Sequence, residues 1–423
     1  MPRLDKISKI CHDSTMSPSN NLQDFQDIAQ REIIFARDHE HEDTARLLLS
    51  AARYPNVDMP LAVQQIEGRR TALAKWPSLY ACHDYLYPPR LNREQASSEA
   101  TARHKADLQP PASAITTVAD LTGGMGIDTL AFARVADHVD YVERSPDLCT
   151  LIAHNLRALG ITNVSVHCAD SMEWLQQQNH HFDLLFIDPA RRDKQGRKVA
   201  AFEDCAPDIV AHRNLLLSKC RQVMVKASPM IDITLGASQL ADVSDIYVIA
   251  LQGECKEVLF RCGSPAGEPL IHCHHLHHGA VDEFAFSRED EARAQATYAS
   301  EIKQYLYEPH AALMKAGPFK LISQREGLEK LAPHTHLYTG DRLQPHFPGR
   351  CFSVLAEVSP NHKAIAEAIP DGKAHVVTRN YPVPAADLQK QLGLREGGDL
   401  FVIATTLGTR RTAFICENIS RLP

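Results

Sequence analysis

Nowhere in these 423 residues is there an uninterrupted apolar run of the ~18 residues that a membrane-spanning helix needs. The first 20 residues, MPRLDKISKICHDSTMSPSN, also lack the continuous apolar stretch of a secretory signal, so a cytoplasmic protein is expected. Cysteine follows no pattern. The 11 thiols are odd in number and scattered, many within apolar strand-like runs, which argues against a disulfide scaffold. Excess positive charge is missing too: a formal net charge of -7 speaks against a uniformly cationic nucleic-acid binder, although a local basic surface fits inside a mildly acidic whole. What remains is ordinary globular composition, 44% hydrophobic and 23% charged. The chain is too long for one core, since single domains usually stop growing at roughly 250 residues, so two or three domains are expected.

Residues 1–20 are polar and read as a flexible lead-in. From Leu22 to Trp76 apolar residues recur at helical spacing, as in Ala45, Leu48, Leu49 and Ala52, with Pro55 and Pro60 as punctuation. A second helix is expected within Gln95–Lys105, capped by Ser97 or Ser98. Beyond Pro110-Pro111, strand-like runs alternate with helical segments: TTVADL, HVDYVE, NVSVHC, FDLLFID, QVMVKA, DIYVIAL and KEVLFRC. That alternation implies a mostly parallel sheet. Only Gln252-Gly253-Glu254-Cys255 separates the last two runs, too short for a crossover, so they are expected to form an antiparallel hairpin.

The chemistry lies at the ends of these strands. Val118-Ala-Asp120-Leu-Thr122-Gly123-Gly124-Met-Gly126-Ile-Asp128 runs from a strand into a glycine-rich turn and then a helix. Glycines let backbone approach a ligand closely at the mouth of an open α/β sheet, and the G-G-x-G spacing differs from the dinucleotide fingerprint. Glu143 ends the second run, where a carboxylate can accept hydrogen bonds from ribose hydroxyls. Asp170-Ser171 follows the third run, placed for the exocyclic amine of adenine. The fourth ends in Asp188-Pro189-Ala190-Arg191, and the fifth in Lys226-Ala-Ser228-Pro229.

With these features in sequence, residues 115–261 resemble class I S-adenosylmethionine (SAM) dependent methyltransferases. The wider chain resembles a bacterial group carrying a C-terminal THUMP-like domain, through Gln95–Lys105, Asp188–Arg192, Lys226–Asp232, Tyr307–His310 and Gly397–Asp399. The resemblance implies an α/β fold with a Rossmann-like seven-stranded sheet, an N-terminal helical region over 1–110, a methyltransferase domain over 111–265, a connecting subdomain over 266–318 and a THUMP-like α+β domain over 319–423. It implies SAM as cofactor, with Asp120, Thr122, Gly123, Gly124, Gly126, Glu143, Asp170 and Ser171 around it. Asp188, Pro189, Arg191 and Lys226 are the expected catalytic residues, acting by direct in-line methyl transfer. THUMP domains are associated with RNA binding, so the implied partner is ribosomal or transfer RNA.

The chain departs from the pattern at one point: many amino-methylating relatives have Asp/Asn-Pro-Pro and an aromatic residue, where this sequence has Asp-Pro-Ala-Arg. Asp188 can still orient an amine, which is catalysis by positioning. Arg191 can stack on a base or bind a phosphate. Lys226 faces the acceptor or pairs with Asp188 or Asp232. A non-catalytic SAM- or RNA-binding protein, or a methyltransferase acting on protein or a small molecule, are the competing readings.

The run His272-Cys273-His274-His275-Leu276-His277-His278 invites a metal reading. Strand alternation would put His272, His274 and His278 on one side and Cys273, His275 and His277 on the other. With no second Cys/His cluster in the sequence, a polar surface segment is expected and no metal. From Glu301 onward 15 basic residues stand against 12 acidic ones, and Lys373, Arg379, Arg395, Arg410 and Arg411 are the candidate phosphate contacts, with Tyr381 and Phe401 as stacking partners.

Overall fold

The computed structural model describes residues 30–108, 116–191, 202–240, 242–263, 267–277, 279–407 and 410–420. The expected lead-in over 1–20, Arg192, His278 and the expected domain boundaries near 110 and 265 lie outside these residues. The chain divides into two compact units, one of residues 1–242 with 260–264 and one of residues 243–259 with 265–423. Among the described residues no helix is long and apolar enough to cross a membrane.

The first unit opens with short helices. Helix Met59–Lys75 is started by Asp58, whose carboxylate accepts from the Leu61 amide at 3.2 Å, with Pro60 in its first turn where the missing N–H costs nothing. Its face of Ala62, Val63 and Ile66 packs on Phe35, Ala36 and Leu47. Helix Glu99–Asp107 is capped by Ser98, not Ser97, which leaves the Ser97 hydroxyl for another task.

Five strands follow: β1 (Thr117–Asp120), β2 (His138–Glu143), β3 (Val164–Cys168), β4 (Phe182–Ile187) and β5 (Cys220–Ala227). Every pairing among them is parallel, in the order β5-β4-β1-β2-β3. Helices Ile127–Phe132, Pro146–Ala158, Ser171–Gln177 and Arg213–Lys219 make the crossovers. The chain winds outward from β1 in one direction through β2 and β3, and in the other through β4 and β5. The crevice between β1 and β4 is therefore a topological switch point, where open α/β sheets bind ligands.

β6 (Val243–Leu251) and β7 (Glu254–Cys262) are joined by Gln252 and Gly253, with φ of 52° and 80°. A two-residue loop with both residues left-handed is the turn that matches hairpin twist, as expected from the short linker. The seven expected strands all form, and two more join them. β8 (Leu270–His277) runs parallel to β6, and β9 (Ala280–Phe286) pairs antiparallel with β8. The histidine-rich run is thus an interior strand of its unit, not a polar surface segment. Its imidazoles pack as flat aromatic rings, His272 on Tyr247 and His275 on His277, which a polarity count does not register.

A second sheet follows, of β10 (Tyr305–Pro309), β11 (Glu329–Ala332), β12 (Thr335–Gly340), β13 (Gly349–Val358), β14 (His375–Arg379), β15 (Leu400–Leu407) and β16 (Arg410–Asn418). Its order is β11-β12-β10-β13-β16-β15-β14, antiparallel except for the β14–β15 edge pair.

Candidate functional site

All the sequence-predicted residues at the strand tips belong to the first unit, and their geometry separates those that build the site from those that face its opening. Asp120 is a builder: it is 1% exposed, accepting from the Thr129 hydroxyl at 2.6 Å and the Thr122 amide at 3.1 Å. Burial first, then the negative charges of Asp128 and Asp188, push its carboxyl up to about 7, while the two hydrogen bonds pull the other way. Thr122 accepts at its hydroxyl from the Asp188 amide at 2.7 Å, tying the glycine turn to the end of β4.

The three glycines have different reasons to be glycine. A Cβ on Gly123 would stand 2.2 Å from the buried Tyr141 ring, and one on Gly126, at φ 82°, would stand 2.4 Å from Ile152. Both are packing constraints. Gly124, at φ 51°, has only the Thr122 carbonyl near its Cβ position, at 3.6 Å, so its outer side is open. Its carbonyl accepts from the Tyr141 hydroxyl at 2.8 Å and its amide donates to Glu143 Oε2 at 3.0 Å.

Glu143 sits half-buried at the tip of β2, with Oε1 accepting from the Ser145 amide at 2.9 Å. Each oxygen has one backbone donor and keeps a second lone pair, so the carboxylate is fixed in orientation yet able to accept two more bonds. That fits a ligand with vicinal hydroxyls. Asp170 is exposed and caps helix Ser171–Gln177, accepting at Oδ1 from Met172 and Glu173 amides at 3.0 and 3.2 Å and keeping the acceptor capacity of Oδ2.

Asp188 and Lys226 meet. Lys226 Nζ donates to Asp188 Oδ2 at 2.6 Å and to the Ser97 hydroxyl at 3.0 Å, whereas Asp232 caps helix Ile233–Gln239. Behind this pair lies a charge network. Ser97 Oγ donates to Asp128 Oδ2 at 2.8 Å and accepts from Lys105 Nζ at 3.1 Å, and Lys105 stands 3.0 Å from Asp128 Oδ1. One hydroxyl therefore uses its single proton and both lone pairs. Lys105 is fully buried. Burial pushes the Asp128 carboxyl up, but Lys105 and Lys226 outweigh it and hold it below the usual carboxylate range. Two cations and two carboxylates share this space, which is how buried charge is tolerated.

The sequence reading missed Ser97, Lys105 and Asp128 as parts of the site. A signal was available: Lys105 lies on the same helical face as Ala102 and Ala106, both buried, and a lysine there needs a buried acid. After Pro189, Ala190–Arg191 form a two-residue antiparallel pair with Cys205–Ala206. Ser228 accepts at its hydroxyl from the Met230 amide at 3.3 Å, closing the turn after β5.

In the second unit the candidate RNA contacts fall into two groups. Arg379 pairs with the buried Glu308 at 2.5 Å, and Arg410 with Glu357 at 2.6 Å. These two and Arg411 lie toward one end of the β14–β16 strands, while Lys373 and Arg395 bridge each other before the other end. Tyr381 and Phe401 pack against core clusters, Phe401 beside Phe352 and under the Arg350 guanidinium, so neither is a free stacking platform. The β-strand period that marks Phe401 as strand does not say which face is covered.

Comparison with known proteins agrees with this geometry. Residues 112–218 match the family model for conserved hypothetical protein 95, residues 305–348 a ferredoxin-like domain and residues 349–418 a THUMP domain-like model. The chain is 26% identical over 333 residues to an uncharacterized S-adenosylmethionine-dependent methyltransferase of Mycobacterium tuberculosis, covering 77% of this chain and 87% of that protein. It is 31% identical over 126 residues to ribosomal RNA small subunit methyltransferase J of Chromobacterium violaceum, 27% of this chain and 48% of the relative. It is 30% identical over 143 residues to the 23S rRNA (uracil(1939)-C(5))-methyltransferase RlmD of Hahella chejuensis, 29% and 31% of the two chains. Among solved structures, a "putative methyltransferase" from Porphyromonas gingivalis superposes with a TM-score of 0.82 at 29% identity, over 93% of this chain and 98% of that one.

Proposed function

We propose that this chain, a SAM-dependent methyltransferase with a THUMP-like C-terminal domain, transfers its methyl group to RNA, and that Asp188 orients the acceptor atom. The observation that carries the reading is the pinned carboxylate at the tip of β4: its amide is held by Thr122 and its Oδ2 by Lys226, with the side chain 36% exposed. Oδ1 keeps its acceptor capacity for a substrate N–H or O–H. A hydrogen bond there fixes the acceptor lone pair in line, and orientation of this kind supplies up to about 7–11 kcal/mol of a barrier.

When bound, SAM supplies the electrophilic methyl. The chain's own groups do the rest: Glu143 accepts from ribose hydroxyls, Gly124 leaves room for the ligand, and Asp170 or Ser171 meets the adenine edge. Asp120 and Thr122 hold the turn in shape. Arg191, whose side chain lies outside the described part of the structure, is the candidate base-stacking or phosphate-binding group. Residues 111–265 are read as the catalytic domain, preceded by the helical region over 1–110 and followed by 266–318 and the THUMP-like 319–423.

RNA as acceptor is supported by the two ribosomal RNA methyltransferases among the relatives and by the THUMP domain-like match. The exposed Lys373 with Arg395, and Arg411 with Arg410, are the places where phosphates would bind. The test is transfer of radiolabelled methyl from SAM to ribosomal RNA, transfer RNA and protein fractions from cells lacking the gene. Label in one RNA fraction, absent with Asp188→Ala, is the expected outcome. Label confined to protein, or to none of the fractions despite SAM binding, would reject RNA as acceptor.

A further inference from the structure

Strands β8 and β9 of the second unit carry two clusters of imidazole and carboxylate groups on opposite sides, and each brings its candidate ligand atoms within 4.8 Å of one another. They differ in how well they are satisfied without an ion. In the first, His272 uses both ring nitrogens, Nδ1 2.9 Å from Glu283 and Nε2 3.1 Å from Asp245, and His274 stands 3.5 Å from the same Glu283. An imidazole between two carboxylates is a complete ion-pair network, and burial opposed by these two hydrogen bonds leaves the His272 pKa raised. That side explains itself.

The second cluster is incomplete. His275, 7% exposed, leaves its buried Nδ1 with no hydrogen-bond partner, although His277 Nε2 on the same side stands 2.9 Å from Asp282 Oδ2. His310, at the start of helix Ala311–Ala316, stacks on His275 with ring centroids 5.1 Å apart, and its own Nε2 is likewise buried without a partner. Burying two imidazole nitrogens without partners in one place is unfavourable, and a ligand that uses them relieves that cost.

We propose that His275, His277 and Asp282 bind one divalent transition-metal ion of the zinc class, with His310 as the wall of the site. Two imidazoles and a carboxylate are the donor set of such ions, and three protein ligands leave a position for water. Because His310 Nδ1 accepts from the Leu313 amide, its proton sits on Nε2, a buried donor without a hydrogen-bond partner beside His275. His277 and Asp282, with side chains 18% and 40% exposed, give the ion its way in. The three ligands lie within eight residues of the chain, but that His275 is left unsatisfied while His272 is not, and that His310, 33 residues beyond His277, stacks on it, is visible only in the tertiary structure.

The test uses the tag-free full chain, stripped with a chelator and titrated with Zn2+ against a chromophoric competitor, and separately with Co2+ followed by its visible absorption. One ion per chain is expected, with a rise in melting temperature on adding Zn2+. His275→Gln, and the more exposed His277→Gln and Asp282→Asn, should each weaken binding by at least ~10–100-fold, the loss that disturbing even an outer partner brings. His272→Gln and His274→Gln should leave it unchanged. Circular dichroism of His277→Gln and Asp282→Asn confirms that the fold is kept. Absence of stoichiometric binding, binding that survives in His277→Gln and Asp282→Asn, or binding lost in His272→Gln instead, would overturn the assignment.

Discussion

Lys226 Nζ stands 2.6 Å from Asp188 Oδ2, so a lysine from the end of β5 holds the carboxylate at the end of β4 in one orientation. Together with the Thr122 bond to the Asp188 amide, this leaves the carboxylate little freedom except to receive a substrate at Oδ1.

Lys226→Met should therefore act on turnover more than on cofactor binding. A misplacement of about 1 Å at a reacting centre costs roughly 100-fold, so kcat is expected to fall 10- to 100-fold while the Kd for SAM stays within about twofold. Single-turnover rates and calorimetric titration of SAM separate the two. An equal loss in both would place Lys226 in cofactor binding.

Lys105→Met should destabilise the chain strongly, because Asp128 then keeps one cation where it had two. Breaking one side of a buried pair costs about 3 kcal/mol or more, readable as a shift of the urea midpoint at constant slope. Adding Asp128→Asn should recover part of that loss, since the remaining charge is removed. A double variant no more stable than Lys105→Met would contradict the pairing.

Gly123→Ala and Gly124→Ala should part company. The first drives a Cβ into Tyr141 at 2.2 Å and is expected to cost about 1–3 kcal/mol by overpacking. The second meets open space and carries only left-handed strain, about 1 kcal/mol, yet should weaken SAM binding more than it lowers the melting temperature. Thermal melts and SAM titrations on both variants decide.

Glu143→Gln keeps the size of the side chain, but its NH2 cannot accept from the Gly124 or Ser145 amide as a carboxylate oxygen does, and the bonds left to ribose become neutral ones. A loss of ~1.4 kcal/mol is a tenfold rise in Kd, and a rise of about that size is expected for SAM. An unchanged Kd would remove Glu143 from the cofactor site.

Asp120 makes a pH-dependent contribution with a definite sign. Its carboxyl is raised to about 7 in the folded chain, chiefly by burial, whereas an unfolded aspartate ionises near 4. Between those values the unfolded state has lost a proton that the folded state keeps, so stability from this group is full below about 4 and is lost as pH rises through about 7. Asp120→Asn cannot ionise. Its stability relative to the parent should therefore rise with pH between about 4 and 7 and level off above, as measured by urea unfolding at a series of pH values. A flat difference would show that Asp120 is already ionised in the folded protein.

Much of this was legible in the sequence. Strand and helix periods mark all seven runs from TTVADL to KEVLFRC, because burial on a sheet imposes a pattern that local sequence must carry. The strand-end positions of Glu143, Asp170, Asp188 and Lys226 follow from the same counting, and the left-handed turn at Gln252-Gly253 from the shortness of the linker. Tertiary structure alone decided what those groups touch. Ser97 and Lys226 lie 129 residues apart in the chain, and only the packing of helix Glu99–Asp107 and the register of β5 bring their atoms to 3.0 Å. Nor could period distinguish the open Gly124 from the packed Gly123 and Gly126, the covered face of Phe401 from a stacking platform, or the self-satisfied His272 from the unsatisfied His275. Spacing along a chain encodes which side of an element a residue takes; the identity of the neighbour across the gap depends on long-range contacts that no local pattern records.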